Sequence, residues 1–145
     1  MQHLFIDCHV TRLVWALIYA AWGLPKPSSV SNMFGNWLNG IPKDYKPLVL
    51  VGAAALCWSV WHCRNVVVFD NKKHSFLRVI FTTIHWLRTW PILQQPSSQD
   101  TLVAASHFLA QVAKYFLPGR MGGSLVLGLI AISVLGFIDL FQNFL

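Results

Sequence analysis

Apolar positions recur every three to four residues along most of this chain, and the breaks between the runs carry proline, glycine or polar clusters. Residues 8–22, CHVTRLVWALIYAAW, place Val10, Val14, Leu17, Ile18 and Ala21 on one face. Leu13, Trp15, Tyr19 and Trp22 fill much of the other face, and a helix apolar all round is a buried one. GLPKPSS at 23–29 stops it with a glycine followed by two prolines. Ser28 or Ser29 is placed to cap a short helix that ends at Asn39–Pro42. Asp44 reads as the N-cap of a long helix, with Pro47 in its first turn and an end near Phe69. DNKK at 70–73 is a turn. A fourth helix covers about 75–90, with Leu77, Ile80, Ile84 and Leu87 as its inner stripe. PILQQPSSQD at 91–100 reads as a polar linker, and Asp100 as the cap of a fifth helix over about 100–117. PGRMGGS at 118–124 breaks it. One continuous apolar helix is predicted from about Leu125 to Phe141. VVVF at 66–69 has strand propensity but no partner strand. The fold class is therefore all-α: an irregular bundle of five to six helices, divided into a helical region, 1–117, and an apolar C-terminal segment, 118–145.

Composition changes this picture in one respect. The chain has 145 residues, the length of one domain, but 55% are hydrophobic and only 11% charged. Soluble domains carry about 25% charged residues. Such a chain is short of solvating groups and points to a membrane or to neighbours that it packs against. The charge is one-sided, with 11 Lys+Arg, five Asp and no Glu, for a net +6. That balance suits nucleic acid or anionic membrane surfaces. The basic residues are scattered, with no run longer than two, so solvation of a greasy surface accounts for them as well. Three cysteines, Cys8, Cys57 and Cys63, make no disulfide framework. Asp7, His3 and His9 stand where a signal peptide would have basic residues, so the expected location is intracellular.

Little supports catalysis. The five aspartates are dispersed, and Gly-x-Ser-x-Gly, His-Glu-x2-His and a phosphate-binding glycine loop are all missing. The expectation is a protein without catalytic residues. His3 and Cys8, in His-x4-Cys spacing, have the residue types and separation of half a zinc site. A tetrahedron needs two more ligands. His62 and Cys63 are the best candidates within the chain, but a free cysteine more often packs as a small hydrophobe.

HLFIDCHVTRLVW at 3–15 resembles the end of the zinc-binding domain of plant LINE-type (non-LTR) retrotransposon reverse transcriptases. In that family a Cys-x2-Cys pair lies upstream, followed by His-Leu-Phe-Phe-x-Cys and an Arg/Trp-bearing helix. His3 matches the third ligand of the motif and Cys8 the fourth. Asp7 matches the residue before that cysteine, and Trp15 the tryptophan of the helix. CWSVWHCRNVVVFD at 57–70 resembles a second signature of the same elements, Trp-x2-Trp-x2-Arg-Asn-x3-Phe, through Trp58, Trp61, Arg64, Asn65 and Phe69. The resemblance spans roughly residues 3–110 and implies descent from a retroelement. It does not imply catalysis, because the polymerase and endonuclease parts are absent and the Cys-x2-Cys half of the metal motif is missing. No cofactor is expected, since the ancestral zinc set is incomplete. The segment from about 121 matches nothing in the family.

Three surfaces follow from spacing. Trp58 and Trp61, at i and i+3, are expected to be buried against the first and fourth helices, with Arg64 and Asn65 at the edge of that core. Arg78, His85 and Arg88 share one face of the fourth helix, opposite its inner stripe. They form the best candidate for weak nucleic-acid binding, against the plainer reading of a solvated face. Residues 124–145 are long enough to span a bilayer, with Asp139 near one end. Lys114 and Arg120 precede the segment, so a tail anchor would leave the N-terminal side in the cytosol. The apolar stretch 48–61 is shorter and reads as a buried core helix.

Overall fold

The run from Cys8 to Trp22 forms α1, His9–Trp22, in a computed structural model that describes residues 2–71 and 75–115. Gly23 ends α1 in the left-handed conformation, φ 67°, which costs glycine nothing because it has no Cβ. Its N–H donates to the Tyr19 carbonyl. Ser29 caps α2, Val30–Met33, by accepting the Asn32 N–H at 2.9 Å. A 3-10 turn, Asn36–Leu38, follows.

The long helix α3 runs from Lys46 to Asp70. Its end falls on Asn71 at φ 50°, and asparagine is the residue that most often replaces glycine there. Its start differs from expectation. Tyr45, not Asp44, precedes the helix, and no side chain caps it. The Tyr45 N–H donates to Pro42 O at 3.0 Å, so the chain is already curling at 42–45. Tyr45 has φ −94° and ψ −15°, not the extended shape from which a cap side chain reaches back.

Helix α4 spans Phe76–Thr89, and a 3-10 turn at Trp90–Leu93 leads to α5, Pro96–Tyr115. Helix α5 starts four residues before the expected Asp100. Proline fits a first-turn position, since its φ is already helical and its missing N–H would have had no partner. The Gln95 carbonyl accepts from the N–H groups of Ser98 and Gln99. Asp100 thus lies inside the helix, and the linker shrinks to a tight connection.

Helix α4 packs between α3 and α5, and α1 lies across α4 and α5. No strand occurs among the described residues, and VVVF belongs to the last turns of α3. This is the expected all-α bundle. The α4 stripe is inward as expected for Ile80, Ile84 and Leu87, joined by Val79 and Thr83, while Leu77 is half-buried. Each of these aliphatic side chains contributes about 1.5–3 kcal/mol when buried. The buried hydroxyls of Ser59 and Thr83 donate to carbonyls four residues earlier, so they enter the core without an unmet donor. The predicted helix at 125–141 lies outside the described residues.

Candidate interaction surface

The first candidate site is the half zinc motif. Residues His3–Asp7 form one π-helical turn, closed by the Cys8 N–H donating to His3 O at 2.7 Å. Cys8 is then extended and caps α1, its Sγ accepting the Thr11 N–H at 3.4 Å. Thr11 is fully buried and donates its hydroxyl proton to Leu4 O at 2.8 Å. Cys8 Sγ lies 2.6 Å from that same hydroxyl oxygen. The threonine has one proton and has spent it on a carbonyl, so the thiol is the donor in the second bond. Trp15 adds another tie by donating Nε1–H to Phe5 O at 3.0 Å. A metal ligand must be a thiolate, and here the thiol proton is engaged in a cap network. His3 is exposed. Among the described residues, no three His, Cys, Asp or Glu side chains converge as a metal-holding group, so His62 and Cys63 are not brought to His3 and Cys8.

Cys63 is buried and Cys57 half-buried. Burial pushes the Cys57 thiol up to about 11. Burial also raises the Cys63 thiol, and a hydrogen bond with Thr82 and the charge of Arg78 offset part of that rise. Both are poor nucleophiles near neutrality.

The aromatic residues of α3 depart most from expectation. Trp58 and Trp61 are not core residues: they are 45% and 44% exposed. The reason is the opposite face. Gly52, Ala53, Ala55, Leu56, Ser59, Val60 and Cys63 turn inward, and α3 packs against α4. No described element covers the other face at Trp58 and Trp61, so the two bulky indoles are left partly outside.

There they form a cluster. The Trp58 and Trp61 rings lie 5.1 Å apart, tilted by 34°. Trp86 of α4 meets Trp58 edge-on at 6.4 Å, and Trp90 follows Trp86 at 5.5 Å. His85 sets its ring against Trp86 at 5.2 Å. Leu50, Ala54 and Val68 share the outward face of α3 by helical spacing, and Phe69 beyond them is 81% exposed. The Trp86 Nε1–H is buried with no acceptor among the described residues. Arg64 and His62 are exposed on α3 close to the two indoles.

The predicted basic face is partly drawn into this surface. Arg78, His85 and Arg88 are all exposed. Yet Arg88 donates Nε–H to Ser106 Oγ of α5 at 3.3 Å, and Arg78 lies near Cys63 of α3. The three therefore spread across the width of α4, with His85 held on the aromatic cluster. Trp86 and Trp90 were not singled out by sequence reasoning. Their i, i+4 spacing beside a helix with its own Trp pair was the available signal.

The chain matches no family model, no curated protein and no solved structure.

Proposed function

We propose that this chain is a non-catalytic interaction protein that rests on membranes through the tryptophan face of α3 and α4, and that it descends from the zinc-binding region of a plant LINE-type retroelement. One observation carries the membrane reading: Trp58 and Trp61 stand exposed on a helix that is apolar on its outer as well as its inner side. Tryptophan favours the headgroup level, where the ring is buried and its N–H is wetted. Helix α3 is long and apolar enough to cross a bilayer. Its inner face is committed to α4, however, so the geometry suits lying on the surface rather than spanning. The net charge of +6 favours anionic lipids. Residues 124–145 would add a tail anchor, with the helical region on the cytosolic side. The two-motif resemblance supports the ancestry, and the cap role of Cys8 supports a remnant without zinc.

The test is quenching of tryptophan fluorescence in the full chain by vesicles of brominated lipid. Quenching should be strong on phosphatidylcholine/phosphatidylserine vesicles and should fall by more than half in Trp58→Ser/Trp61→Ser. Equal quenching in the double variant would sink the reading of this face. Carbonate extraction tests the tail separately: an anchored chain stays in the pellet. A second reading, single-strand nucleic-acid binding, is favoured by Arg64 and His62 beside the indoles, since exposed rings next to cations stack bases. It predicts RNA affinity that falls steeply with salt and is lost in Arg64→Ala with Arg78→Ala.

A further inference from the structure

A separate site lies on the other side of α3. Helices α1, α3 and α5, Leu87 of α4 and the 24–45 loop line an apolar cavity of about 60 Å³ that is partly open among the described residues. Trp15, Trp22, Trp37, Leu48, Gly52 and Leu102 line it. The three indoles have no donor left to offer. Trp15 donates to Phe5 O at 3.0 Å, Trp22 to Ala105 O at 3.3 Å and Trp37 to Pro25 O at 2.8 Å. The Trp15 and Trp37 rings meet edge-on at 5.8 Å, so the wall is built and fixed. What it shows to the cavity is carbon.

Gly52 is the second observation. It sits inside α3, where glycine destabilises a helix relative to alanine. Nothing in the packing requires it: an added Cβ would meet only Trp22 Cζ3, at an ordinary 3.8 Å. Its backbone is not in the left-handed region either. Gly52 lines the cavity, so a larger side chain there would take up part of its space.

We propose that this cavity binds the hydrocarbon end of a fatty carboxylate, with the head outside. The volume is below the roughly 150 Å³ in which a dry cavity holds a benzene ring, so the end of an alkyl chain fits better than an enclosed aromatic. Tyr45 also lines the cavity, and Lys43, Asp44 and Lys46 flank it in sequence, a net charge of +1. That positive excess gives the head an anionic preference. This site is independent of the outward tryptophan face.

The test is calorimetric titration of the full chain with dodecanoate below its micelle concentration. Saturable binding at one site per chain is expected, weakened at least tenfold in Gly52→Leu and unchanged in Trp58→Ser/Trp61→Ser. Circular dichroism checks that Gly52→Leu is folded. Gly52→Ala supplies a second arm, in which the melting temperature rises and the affinity falls a few-fold. Undiminished affinity in both Gly52 variants would overturn the assignment. So would loss of binding in the double tryptophan variant, which would place the chain on the outer face. Dodecan-1-ol binding as tightly as dodecanoate would overturn the carboxylate preference.

Discussion

The tryptophans of this chain divide into two groups. Trp15, Trp22 and Trp37, around α1, each give the indole N–H to a backbone carbonyl of another segment. Trp58, Trp61, Trp86 and Trp90, on α3 and α4, stack on one another, Trp86 and Trp90 also packing against the core, and the buried Trp86 Nε1–H has no acceptor among the described residues. The residue type is the same and the surroundings are not. An indole tied down at both its carbon face and its nitrogen is structural. An indole that only stacks on its neighbours leaves surface for something else. Hydrogen bonding, more than aromatic content, therefore separates the part of this molecule that holds it together from the part available for contact.

The contrast is broken most directly at Trp22. Trp22→Ala should cost about 3–5 kcal/mol, the usual loss for a large buried aromatic, read as a lower denaturant midpoint. It removes the ring from the core and the indole N–H that bonds Ala105 O. If this variant were as stable as the parent, the tied group would not be structural. The next largest effect belongs to Cys57, between the inward and outward faces of α3. Its thiol ordinarily ionises near 9 and is held protonated up to about 11 by burial. The folded chain thus keeps a proton that the unfolded chain loses. The stability tied to that proton is whole below about pH 9 and is lost as pH rises towards 11. Two units correspond to about 2–3 kcal/mol, and Cys57→Ala should flatten that part of the stability–pH curve.

Thr11→Val should cost about 1–2 kcal/mol, because it removes the part-buried hydroxyl that bonds both Cys8 Sγ and the Leu4 carbonyl, leaving Cys8 Sγ only the Thr11 N–H. Cys8→Ser should cost little, since serine is a better N-cap than cysteine. In the parent chain, purified protein should carry no stoichiometric zinc. Metal analysis showing about one zinc per chain, lost in Cys8→Ser, would mean that the cap network opens to bind metal. The smallest effect sharpens the comparison from the other side. Trp58→Ser/Trp61→Ser should change stability by less than about 1 kcal/mol, as exposed substitutions do, in a urea titration of the same chain. A loss like that of Trp22→Ala would show that the outer group also holds the fold.

The sequence by itself determined the helical character, the stop at Gly23, a serine cap at 28 or 29, most of the inner stripe of α4 and the long run of α3. These depend on local facts: apolar period, the φ that glycine permits, a hydroxyl in reach of a free N–H. It misplaced Asp44 and Asp100 because a cap depends on the backbone shape of one residue, and here a turn at 42–45 and a first-turn proline at 96 took over. Only the tertiary structure decided which side of α3 is the core. Periodicity shows that both sides are apolar. It does not show that Gly52, Ala53, Ala55, Leu56, Ser59, Val60 and Cys63 turn inward while Trp58 and Trp61 stay exposed. That choice is made by how closely two helix backbones approach, and close approach favours the side with the least side chain. Likewise the role of Cys8 followed from Thr11 and Leu4 being folded against it, a matter of contact and proton count that spacing alone does not contain.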